Sequence, residues 1–127
     1  MTNQKLVVTV YDMNGINLEH ITESLRPLAQ PITRFHLDPL NARHNHDLQS
    51  IARSLQEYGQ RTPIVANMSE DGRIIKGNGT YEAATQILGW DHIAAVLVED
   101  DPLTATGYAI VDNRSSDKSE FNEEVLA

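Results

Sequence analysis

Residues 73–89 read RIIKGNGTYEAATQILG, and the order of residue types in this stretch decides the fold class. Arg73 to Lys76 (RIIK) is a short β-rich run. Pro63 to Asn67 (PIVAN) precedes it across Asp71-Gly72, a hairpin-type turn signal, so two short strands are expected. Gly77-Asn78-Gly79 then opens a helix that carries Tyr81, Ala84 and Leu88 on one face and stops at Gly89. Strand, glycine loop and helix in that order present successive unsatisfied amides at a helix start, where the helix dipole favours an anion. Gly77 and Gly79 permit unusual backbone angles and a close approach, Asn78 tolerates a left-handed conformation, and Thr80 adds a hydroxyl. That chemistry suits a phosphate. The same glycines suit a tight strand-to-helix turn that needs them for geometry alone, and both readings stand at this point.

The flanking segments extend the pattern. Downstream, His92 to Val98 (HIAAVLV) reads as a buried strand. Asp101-Pro102 is a cap and first-turn pair for a helix through Tyr108, Ile110 and Val111, and a last short helix is expected over Phe121 to Leu126. Upstream, Leu48, Ile51, Ala52 and Leu55 form an apolar stripe at helical spacing, and Gly59 is placed to end that helix. A loop from Asp38-Pro39 through Arg43 to His46-Asp47 precedes it, and Ile32 to Leu37 alternates as a short strand does. Asn17 is placed to cap a helix running to about Ala29, with Leu18, Ile21, Leu25 and Leu28 at three-to-four spacing before Pro31. Lys5 to Tyr11 (KLVVTVY) is a further strand, ended by a turn cluster from Asp12 to Gly15. The whole is an α+β pattern, a compact mixed sheet with flanking helices.

A chain of 127 residues fits one domain and buries a core without disulfides or metals. With no cysteine it has no thiolate nucleophile, disulfide framework or cysteine-based zinc site. No apolar signal region and no run near the ~18 residues of a membrane span is present, so a cytoplasmic protein without a membrane partner is expected. Of the net charge of −8, residues 99–127 carry −6, which makes the chain a poor stand-alone binder of duplex DNA.

Taken together, the loop with Arg43, the helix ending at Gly59-Gln60, Pro63-Ile64-Val65, the hairpin, the Gly77 loop, Ala83-Ala84, Leu88-Gly89 and Asp112-Asn113-Arg114 resemble the ParB N-terminal domain, which is related in fold to sulfiredoxin. The likeness covers residues 31–127, the expected ParB-like domain, and is nearest to the short-glycine-loop members found in phage-type and methyltransferase-associated proteins. Residues 1–30 form an expected N-terminal strand-helix extension. The resemblance implies a site for a nucleotide, CTP or ATP, with magnesium. Arg43 would meet phosphate, Gly77, Asn78, Gly79 and Thr80 would supply backbone donors, and Asp112 with Asn113 would face metal and triphosphate. Arg114 lies beside them in the sequence, and with Arg43 and Arg61 it would restore positive charge if the three converge.

The departures are specific. The ParB glycine motif runs approximately G-E-R-R-x-R-A, whereas Asn78, Gly79, Thr80 and Glu82 follow Gly77 here, so its arginines are absent. Sulfiredoxin chemistry needs a cysteine that this chain lacks, and no Gly-Lys-Thr/Ser follows the loop as a Walker motif requires. His44 and His46 with Asp47 have metal-ligand spacing, but His46 or Asp47 is better explained as a helix cap. Trp90 is read as a packing residue at a helix-to-strand corner or a base-stacking platform. Three functions are carried forward: a ParB-like nucleotide-binding regulatory module in a phage or bacterial DNA-transaction system; a metal-dependent nuclease or NTPase using Asp112 and a second acid such as Glu57; and an adaptor with a degenerate pocket. DNA contact is expected through a partner or a further C-terminal region, and a protein partner or homodimer belongs to the same expectation.

Overall fold

The computed structural model describes residues 15–38, 47–112 and 114. The expected strand at Lys5–Tyr11, the loop with Arg43, His44 and His46, Asn113 and the expected helix at Phe121–Leu126 lie outside the described residues. A four-stranded mixed sheet organises the rest: β1 (Ala29–Pro31), β2 (Ile64–Asn67), β3 (Arg73–Lys76) and β4 (His92–Val98), in the order β1-β4-β2-β3. β2 and β3 form the expected hairpin, β4 runs parallel to β2 from Ile64 beside Ala95 to Asn67 beside Val98, and β1 is antiparallel to β4. Three helices flank the sheet: α1 (Leu48–Tyr58), α2 (Asn78–Ala83, continuing as a π turn over Ala84–Leu88) and α3 (residues 102–112).

Local chemistry explains the helix limits. The Asp47 carboxylate accepts from the Ser50 amide at 3.1 Å and from its hydroxyl at 2.6 Å, and Gly59, at φ 77°, closes α1 by donating to the Leu55 carbonyl. Asp101 caps α3 in the same way, accepting from the amide and hydroxyl of Thr104. Gly89, at φ 65°, ends the π turn.

The alternating side chains of the sheet face two layers. Ile64, Ala66, Ile74, Ile93 and Ala95 pack with Ile32, Phe35 and Ala84, with Tyr81 and Trp90 at the margin, while Ala52 and Leu55 of α1 meet Ala83 of α2. On the other face Ile75, Val65 and Val98 pack against Ala105 and Ala109 of α3, and Leu18 and Ile21 cover Ala94.

Two buried amides fasten β4. Gln60 exchanges hydrogen bonds with both the amide (2.8 Å) and the carbonyl (2.9 Å) of Ala94, as a neighbouring strand would, and Asn67 does the same with Asp100 at 2.9 Å for each bond. The sequence marks Gln60 only at a helix end and Asn67 only at a strand end, neither as a buried clamp.

Two expectations are corrected. Residues 17–29 do not form an α-helix. The Asn17 side chain accepts from the Glu19 amide in a local turn, the backbone at His20 and Thr22 bonds to Gln60, and residues 23–28 take a 3₁₀ path with Pro27 inside it. A proline there removes an amide and crowds the preceding turn, so α geometry loses to pairing with Gln60. The apolar residues still converge, since Leu18, Ile21, Leu25 and Leu28 share one cluster with Ala94. Ile32 to Leu37 is likewise a 3₁₀ turn (Ile32–Arg34) followed by a single bridge from His36 to Arg73. Ile32 and Phe35 are both buried at a spacing of three, which a 3₁₀ turn satisfies and a strand does not. The chain there crosses so close to the hairpin that a Cβ on Gly72 would sit 2.1 Å from the Arg34 carbonyl oxygen.

Candidate functional site

The glycine loop begins at a bulge. Ala66 pairs with Ile74 but Val65 pairs with Lys76, so β3 carries one extra residue, Ile75, two positions before Gly77, and its end is re-aimed. Gly77 caps α2 at φ 96° and ψ 25°, and a Cβ there would lie 2.6 Å from the Ile64 side chain, so glycine is required by both conformation and packing. The turn-geometry reading of Gly77 therefore holds whatever the loop binds. Asn78 is buried, and its side-chain oxygen accepts from the Asp38 amide at 3.4 Å, tying the start of α2 to the chain that leads into residues 39–46. Gly79 is buried and Thr80 is half-buried. Among the described residues no side chain caps α2.

Thr80 opens onto a cleft of about 550 Å³ between α2 and α1, whose polar lining includes Ser50, Ser54, Thr62 and Arg61. The Arg61 guanidinium lies 5.1 Å from the centre of the Tyr58 ring, which holds its charge at the cleft margin. Arg61 and Thr80 thus share one cavity. Arg114 is exposed at the end of the α3 path, and Asp112 faces the other side of the loop, 3.8 Å from the ammonium of Lys76, the residue directly before Gly77. Lys76 was legible as a cation adjoining the loop and was passed over. Arg43 and Asn113 lie outside the described residues.

A charged cluster that sequence reading missed stands behind the loop. Arg73 donates to Asp38 at 2.6 Å, forms a two-bond pair with Glu70, and reaches Thr106 of α3 at 3.3 Å. The Glu70 carboxyl is held below its ordinary range, chiefly by the Arg73 hydrogen bond, and Arg73 is raised by the same contact. Hydrogen bonds from Ser50 and Thr104 lower Asp47 and Asp101, and burial raises Tyr81, whose hydroxyl donates to the Phe35 carbonyl at 3.0 Å. Through Arg73, the approach to residues 39–46, the hairpin and α3 are one connected unit. Among the described residues no group of three His, Asp or Glu side chains is placed to hold a metal ion.

One solved structure with a similar fold is the C-terminally truncated chromosome-partitioning protein ParB from Caulobacter crescentus complexed with CTP-gamma-S, which matches at 25% identity with a TM-score of 0.59 over 67% of this chain and 51% of that one. This chain has a ParB-like fold. The same ParB complexed to the centromeric parS site matches at 23% identity and a TM-score of 0.54, over 67% of this chain and 46% of that one, and speaks for fold alone. The chain spans about half the length of these ParB structures. No protein-family model and no curated protein matches it.

Proposed function

We propose that the chain is a ParB-like nucleotide-binding regulatory module of a cytoplasmic phage or bacterial DNA-transaction system, with phosphate held at the start of α2. The observation that carries this reading is the α2 N-terminus, which no described side chain caps, beside a cleft lined by Thr80 and Arg61, within a fold shared with a ParB solved with a CTP analogue. The amides of Asn78, Gly79 and Thr80 would receive phosphate oxygens. Arg61, Arg43 and Arg114 would supply the positive charge that the glycine loop itself does not carry. Magnesium is usually held by one or two carboxylates, with water and phosphate completing its shell, so Asp112 is a sufficient protein anchor in kind. Asn113 would support it, and Lys76 would turn from Asp112 to phosphate. DNA would be contacted through a partner or a further C-terminal region.

Calorimetric titration with CTP, ATP, GTP and ADP, with and without magnesium, tests the proposal. Selective magnesium-dependent binding is expected, weakened in Arg61→Ala and losing its magnesium dependence in Asp112→Ala. No binding of any nucleotide to the folded chain would overturn it.

The adaptor reading has one observation of its own, the outward face of α3. Leu103 (83% exposed), Ile110 (48%) and Val111 (64%) lie there, while Ala105 and Ala109 make the apolar contact with the sheet. A protein partner or second copy would cover it. A nuclease or NTPase would show as metal-dependent phosphate release or DNA nicking lost in Asp112→Ala.

A further inference from the structure

α3 is apolar on two opposite sides. Ala105 and Ala109 turn inward onto Ile75, Val65 and Val98. Leu103, Ile110 and Val111 are exposed, and with Gly107 among them they recur at i, i+4, i+7 and i+8, one stripe along the side that faces away from the sheet. A helix that covers a sheet with one side is ordinarily polar on the other, and one that is apolar on both is buried on both.

Gly107 adds a second observation. It needs no left-handed backbone, and a Cβ built there would meet no atom within 4 Å, so nothing in the fold of the single chain calls for glycine. Glycine weakens a helix interior relative to alanine. What it supplies is a notch between Leu103 and Val111 where a second helix backbone can come close.

The third observation is the symmetry of the stripe. Leu103 and Val111 lie four residues to either side of Gly107, and Asp100 and Arg114 lie seven to either side. Reversed onto itself through Gly107, the helix sets Leu103 against the partner's Val111 and brings Arg114, exposed on the same path, to the acidic start at the partner's Asp100 and Asp101. Shape and charge both complement themselves.

We infer that two copies of this chain pair antiparallel through α3, crossing at Gly107. This deepens the adaptor reading, whose exposed face it assigns to a second copy, and it needs no nucleotide. Arg114 is engaged in the pair, which leaves the phosphate charge of the nucleotide reading to Arg61 and Arg43.

Sedimentation equilibrium of the full chain without nucleotide tests the pairing. The seam is short beside a standard interface of about 1,600 Å², so a Kd on the order of 100 µM is expected, with association that closes at a dimer up to about 1 mM. Leu103→Lys should weaken it at least about tenfold. Gly107→Leu should weaken it too, whereas a patch that merely sticks would associate more strongly with the added apolar surface. All these positions are exposed, so the core is untouched, and circular dichroism equal to that of the parent confirms folding.

The chain has no cysteine, so single cysteines report the register. With glutathione disulfide, Gly107→Cys should link to its own copy at the crossing, while Leu103→Cys, set about 12 Å along the helix from its counterpart, should not. A monomer throughout, dimerisation unchanged in Leu103→Lys, stronger association of Gly107→Leu, or Leu103→Cys linking as fast as Gly107→Cys overturns the inference. A monomer throughout leaves the adaptor reading standing with a different protein as occupant, so the two failures stay distinguishable.

Discussion

Arg73 and Ile74 are neighbours on β3 and point to opposite faces of the sheet, and each is typical of its side. Ile74 is fully buried in the larger apolar cluster beneath α2, with Ile64, Ile93 and Phe35 around it. Arg73 faces the α3 side, where the apolar contact is thinner, two alanines against Ile75, Val65 and Val98, and charged bonds to Asp38, Glu70 and Thr106 supplement it. The α2 side is held by non-directional burial, which tolerates exchange of similar shapes. The α3 side is held partly by directional bonds that fail when one partner is removed.

Substitution on the two faces sharpens this contrast. Ile74→Ala should cause the largest loss, roughly 2–5 kcal/mol in urea unfolding, because it empties a site with no exposed flank. Arg73→Met should cost roughly 2–4 kcal/mol, since Asp38, only 3% exposed, is left without the guanidinium. If the double variant with Asp38→Asn costs no less than Arg73→Met alone, the penalty does not come from the charge of Asp38. Gly77→Ala, at φ 96° and against Ile64, should lose about 1–3 kcal/mol while leaving α1 intact by circular dichroism.

A pH titration of the unfolding midpoint, compared between the parent chain and Arg73→Met, isolates the Arg73 contribution on the α3 side. His20, Glu70, Asp47 and Asp101 all have folded pKa values below their unfolded ones, so the unfolded chain binds more protons on acidification. Their stabilisation is present above the unfolded values and is lost as pH falls, first through the histidine range and then through the carboxylate range. In Arg73→Met the carboxylate part of that loss should shrink, because the main cause of the Glu70 shift is gone. The smallest effect is expected from Asp101→Ala, a slight fall in Tm confined to the start of α3, because its bonds to Thr104 are exposed.

The glycine-loop unit was readable because it depends on neighbours in sequence. β3, Gly77, α2 and Gly89 follow from strand propensity, left-handed glycines and helical spacing, all set within seventeen residues. The segment 17–37 misled for the opposite reason. Its apolar spacing marks a buried surface, but a 3₁₀ path meets the same spacing once Gln60 and β3 supply hydrogen bonds from afar. Thr80 was named with the loop and Arg61 with the basic residues, yet their common cavity arises only when α1 packs on α2.

From residue types alone came the α+β class, the ends of α1, the hairpin and an anion-suited loop without its own arginines, because turns, caps and periodicity are short-range properties of the chain. The Arg73 cluster, the clamps of Gln60 and Asn67 on β4, and the pairing of Lys76 with Asp112 were decided by the tertiary structure. Each joins residues more than thirty positions apart, and a polar side chain shows in the sequence neither whether it is buried nor which distant partner compensates its loss of water.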